Sequence, residues 1–137
     1  MARILIIMFL LLSSLAPFSY ARVGIGFGDF DYIPAPKLLS PLTNDIDLTG
    51  KQFLKFEWIR YEDPTKVDHY EFRLYRGYGM VQAGLITKQN FSYGDYPIKM
   101  PSSLFEAGQV YSWSLRIVYF TGVKGDYAFG SFSIIKK

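Results

Sequence analysis

The 137-residue chain has no cysteine. Disulfides, a thiol nucleophile, thiolate metal sites and a lipid-bearing cysteine are all excluded. Histidine is almost as scarce. His69 is the only one, and strand alternation places it on an outward face beside Glu71, where a solvated ring is expected. No serine sits in a nucleophile turn, so a Ser-His-Asp set has nothing to assemble around. Clustered charge is missing too. Basic residues are scattered except for Lys136-Lys137, whereas a nucleic-acid binder gathers them on one face. Neither a bilayer-spanning apolar run of roughly 18–20 residues nor a sustained helical period is present. These absences point to a chain with no catalytic set, no metal, no cofactor and no nucleic-acid partner.

Residues 1–21, "MARILIIMFLLLSSLAPFSYA", supply the longest apolar stretch. Arg3 gives a basic start, a short apolar run follows, and Ser19 and Ala21 are the small residues a signal peptidase reads. We expect cleavage after Ala21, a secreted or periplasmic protein, and no stable membrane insertion afterwards. Loss of Arg3 leaves 14 basic against 12 acidic residues, close to neutral. Residues 22–36, "RVGIGFGDFDYIPAP", read as a Gly/Pro-containing arm, either a flexible exit segment or a strand that adds to a sheet edge. Its glycines have no strand before them and no helix after them, so they do not make a phosphate loop.

What is plentiful is aromatic side chains, 18% of the residues, which pack well on pleated sheets. From Lys37 to Lys137 short runs alternate apolar and polar between turn signals. "FLKFEWI" turns Leu54, Phe56 and Trp58 to one face. "HYEFRLY" does the same with Tyr70, Phe72 and Leu74, and "YSWSLRI" with Tyr111, Trp113, Leu115 and Ile117. "KLLSPL", "MVQAGLIT", "YPIKMP" and "AFGSFSIIKK" bring the expected strands to about seven. That pattern predicts an all-β, two-sheet sandwich over residues 37–137.

Gly108, shortly before Tyr111, suits a turn over from the opposite sheet, with the Tyr111 hydroxyl bonded to the connecting backbone. At these residues the chain resembles a fibronectin type III domain of the divergent, bacterial exported type, within the wider Ig-like class. The resemblance is carried by "LLSP", by "FLKFEW" with Trp58, by "HYEFRLY", and by "LFEAGQVYSWSLRI" with Leu104, Gly108 and Tyr111 at the corner. It implies the fold and little about function. The integrin-binding Arg-Gly-Asp is absent, since Tyr78 follows Arg76-Gly77.

Remaining motifs are weaker. "DIDLTG" mimics the start of a calcium loop, but the position that must supply a bidentate Glu is Phe56. The segment therefore reads as a hairpin connection. Asn90-Phe91-Ser92 fits the glycosylation pattern. Tyr75, Tyr78, Tyr93 and Tyr96 fall in or beside connections, where rings with a hydroxyl at the rim suit a sugar or a protein hot spot. Two functions are expected from this. The first is a protein-interaction or assembly module of the envelope or exterior. The second is a carbohydrate-binding or adhesive module that takes a polysaccharide on those four tyrosines.

Overall fold

The computed structural model describes residues 32–42 and 45–136. The expected signal peptide, and the arm through residue 31, lie outside the described residues. Packing in the sandwich begins at Ile33, which is buried and whose carbonyl accepts from the Asp126 N–H at 3.1 Å.

Eight strands follow in order: β1 (Lys37–Ser40), β2 (Asp45–Asp47), β3 (Phe53–Ile59), β4 (Val67–Arg76), β5 (Leu85–Phe91), β6 (Ile98–Pro101), β7 (Val110–Tyr119) and β8 (Ala128–Ile135). They form a three-stranded sheet, β1-β3-β6, and a five-stranded sheet, β2-β8-β7-β4-β5. Chain connections pass from one sheet to the other after β1, β2, β3, β5 and β6. The chain is thus an all-β, fibronectin type III-like sandwich, with β2 added at one edge.

Alternation explains the layers. Leu54, Phe56 and Trp58 of β3 face Tyr70, Phe72 and Leu74 of β4, and Tyr111, Trp113, Leu115 and Ile117 of β7. Ile98 and Met100 of β6 and Phe132 and Ile134 of β8 complete the interior. Phe56 is its hub, meeting Trp113 at 4.9 Å and Phe72 at 5.0 Å edge-on. Full burial of such a ring contributes about 1.5–3 kcal/mol, so a row of them holds the sheets together without disulfides.

At the corner, Gly108 adopts φ +77°, which a glycine takes without a Cβ penalty. Its N–H donates to the Ile134 carbonyl at 2.7 Å. The Tyr111 ring is buried, and its hydroxyl accepts from the Glu106 N–H at 2.8 Å. This is the tyrosine corner expected from the sequence. Phe105, not Leu104, is the apolar residue that enters the core there; Leu104 remains exposed.

Two elements differ from the sequence expectation. "DIDLTG" is not a hairpin connection, because Asp45–Asp47 pairs parallel to Ser133, Ile134 and Ile135 of β8. After Pro41 the first strand leaves the three-stranded sheet and its continuation joins the other. Trp113 Nε1 donates to the Pro41 carbonyl at 2.9 Å and fixes that crossing. The strand expected over "MVQAGLIT" instead starts at Leu85, after a short 3-10 turn at Gln82–Gly84. Met80 lies at φ +47°, which breaks an extended run there.

Candidate functional site

The four tyrosines singled out by the sequence do not form one surface. Tyr75 is buried. Because β4 extends to Arg76, Tyr75 is a strand residue paired with Ser112 and Leu85 rather than part of a connection. Tyr93 and Tyr96 come together, but around a protein cation. The Arg60 guanidinium carbon lies 4.4 Å from the centre of the Tyr93 ring and 4.2 Å from that of Tyr96.

Arg60 also donates to the Tyr93 carbonyl at 2.9 Å, and the Tyr96 hydroxyl donates to the Trp58 carbonyl at 3.1 Å. Ser92 and Asp95 cap the turn that carries Tyr93 in both directions. Both rings are thereby half-buried parts of the sandwich wall. Tyr78 alone keeps the expected exposure, at 73%.

Tyr78 stands over the outward face of the five-stranded sheet. With Leu42, Met80, Ser112, Phe129, Gly130 and Ser131 it lines a hollow of about 250 Å³. Tyr78 also lines a second hollow, of about 190 Å³, with Ser131, Phe132 and Ser133. Phe129 is 63% exposed although it lies within a strand. Ser112 is fully buried, and its Oγ has no hydrogen-bond partner.

Sequence reasoning missed Phe129, Ser112 and Ser131. One signal was available: Phe129 is a large ring on the face where β8 next turns out Ser131 and Ser133. Gly130 permits the close packing beneath, since a Cβ there would come within 2.6 Å of Leu42 Cδ2.

Further along the same face, Glu71 gathers basic side chains. Arg116 Nε donates to it at 2.5 Å, with His69 Nε2 at 3.7 Å and Lys124 Nζ at 3.8 Å. The Tyr127 ring covers Arg116 at 4.4 Å. Burial alone would push the Glu71 carboxyl up. The hydrogen bond and charge of Arg116, then the charges of Lys124 and His69, outweigh burial and hold it below its ordinary range. His69 also contacts Asp68 at 2.8 Å, so its ring is half-buried in an ion cluster rather than freely solvated. The Asp45–Gly50 segment gathers no ligand set: among the described residues no group of three or more His, Asp or Glu could hold a metal.

The edge at β5 is the other open feature. Leu85–Phe91 pairs antiparallel with β4, Tyr70 facing Phe91 and Leu74 facing Thr87. Among the described residues no strand lies on its other side. Asn90 of the glycosylation triplet is exposed on this strand.

No protein-family model matches the chain, and no curated protein matches it significantly. Among solved structures it is similar to the fibronectin(III)-like modules of Clostridium thermocellum CbhA, at 14% identity and a TM-score of 0.46, over 74% of this chain and 97% of that one. It is also similar to a β-1,2-glucanase from Parabacteroides distasonis, at 17% identity and a TM-score of 0.46, over 78% of this chain and 13% of the glucanase. The strand order and the tyrosine corner of the chain itself make it fibronectin type III-like.

Proposed function

We propose that this chain is an exported, non-catalytic interaction module of the cell envelope or exterior, holding a protein partner as an added strand along β5. The observation that carries this is the uncovered edge at Leu85–Phe91. Such an edge offers alternating N–H and C=O groups to an incoming strand. Lys88, at the middle of β5, gives the edge selectivity. Antiparallel pairing of β5 with its own copy about that centre would set Lys88 against Lys88, which is unfavourable. A strand with an acidic residue at that point is matched instead. Export is supported by the basic, apolar and small-residue order of residues 1–21.

Along a strand, successive N–H groups point to opposite sides. Of Gln89→Pro and Asn90→Pro, therefore, one removes an N–H that serves β4 and the other removes one that faces solvent. Capture of detergent-extracted envelope proteins on the exported chain, run beside thermal unfolding, separates the two. The solvent-side variant should fold normally and lose the captured partner. If it folds and captures as well as the parent chain, β5 is not the docking edge.

A further inference from the structure

We infer a second binding site, for a neutral sugar, in the cleft between Tyr78 and Phe129 over β7 and β8. It stands apart from the β5 edge and does not depend on it. The lining of the larger hollow is Leu42, Tyr78, Met80, Ser112, Phe129, Gly130 and Ser131, and none of these residues carries a charge. Anionic or cationic ligands therefore find nothing to pair with. Two rings are left largely in water there, and the apolar faces of pyranose rings are suited to cover such surfaces.

The polar requirement is as specific. The Ser112 hydroxyl is buried and unpartnered, a state that costs about 1–3 kcal/mol. The Ser112 Oγ is closed to water in the free chain, so a sugar hydroxyl reaches it only as the Tyr78–Met80 loop gives way. Once there it satisfies Ser112 whichever way its proton points, because a hydroxyl can both donate and accept. Ser131 adds a second hydroxyl at the same wall.

Size narrows the ligand further. At about 250 Å³ the hollow is smaller than the roughly 300–1,000 Å³ that accommodates drug-sized ligands, and it suits a single ring. The adjoining hollow between Tyr78 and Ser133 gives a neighbouring ring a place. The ligand is thus an oligosaccharide lying along β8, with Tyr78 and Ser131 lining the places of both sugars. Met80 belongs to the same construction. It is the one non-glycine residue with positive φ among the described residues, and that backbone costs about 1–3 kcal/mol where the loop forms the cleft wall. By contrast, a larger hollow of about 680 Å³ is rimmed by Asp45, Asp47, Lys51, Lys55 and Glu57. Asp45 there is bonded to Ser133, and Asp47 to the Thr49 N–H.

The test is a titration of the ¹⁵N-labelled exported chain with maltohexaose, cellohexaose and laminarihexaose, with hexagalacturonate as the charged counterpart. One neutral hexaose should produce saturable amide shifts at Met80, Ser112, Gly130 and Ser131, with a Kd of about 1 mM or tighter. Tyr78→Ala, at an exposed position, should weaken binding about tenfold or more. Ser112→Ala removes an unpartnered hydroxyl, so the fold should be kept while binding falls about three- to tenfold. The proposal is overturned if no neutral hexaose shifts these amides. It is equally overturned if the shifts centre elsewhere, such as Tyr61 and Phe120, if hexagalacturonate binds in preference, or if Tyr78→Ala binds as tightly as the parent.

Discussion

Tyr111 shows how a single side chain can tie two levels of the fold. Its ring sits edge-on to Phe105 at 5.0 Å and stacks on Phe132 at 5.8 Å, while its hydroxyl takes the Glu106 N–H. Tyr111→Phe keeps the ring and leaves that N–H without its partner. Urea unfolding should show a loss of about 1–2 kcal/mol, with the slope against urea unchanged. A smaller loss would mean that water replaces the hydroxyl. This residue was readable in the sequence, because Gly108 and the alternation from Tyr111 onward carry local information. The roles of Tyr75, Tyr93 and Tyr96 were not. Their fate depends on how far β4 runs and on Arg60, which is distant in sequence from the two rings it separates. Exposure at a connection is a tertiary property, and only Tyr78, between Gly77 and Gly79, had too little around it to be covered.

At the level of elements, alternation identified β3, β4, β7 and β8, all of which have one face in the core. It failed at the margins. β2 is three residues long and is held by pairing with β8, so nothing in "DID" itself announces a strand. β5 is an edge strand whose side chains are half-buried or exposed throughout. It therefore shows no clean period, and the apolar residues just before it drew the expected strand too early. The outward rung joining β4 to β7 has its own consequence. Glu71 is opposite Arg116 in register, and its carboxyl titrates below the ordinary 4.5. Between its folded and unfolded pKa values the unfolded chain binds more protons. The stability that Glu71 provides is therefore present above about pH 4.5 and is lost as pH falls through the folded value. Glu71→Gln should cost about 1–3 kcal/mol at neutral pH, since both partners are partly screened by solvent. It should also flatten the loss of stability on the acid side, as followed by unfolding midpoints across pH. An acid limb as steep as in the parent would place the titrating group elsewhere.

For the whole molecule, a core of interlocked rings makes a rigid sandwich. The two surfaces proposed for binding lie at its margins, the β5 edge and the cleft beside β8. The fold class was legible because two-sheet packing imposes its period on most of the chain. The cleft was not, because Tyr78, Ser112 and Phe129 are brought together only by the pairing of β7 with β8 and the loop that follows β4. The central claim is strand addition at β5, and amide hydrogen exchange of the chain, free and with a captured partner, tests it most directly. Strand addition predicts that the solvent-facing amides of Leu85–Phe91 gain protection in the complex while those of β1 and β6 exchange as before. Unchanged exchange along β5, with protection appearing at another edge or around Tyr78, would contradict it.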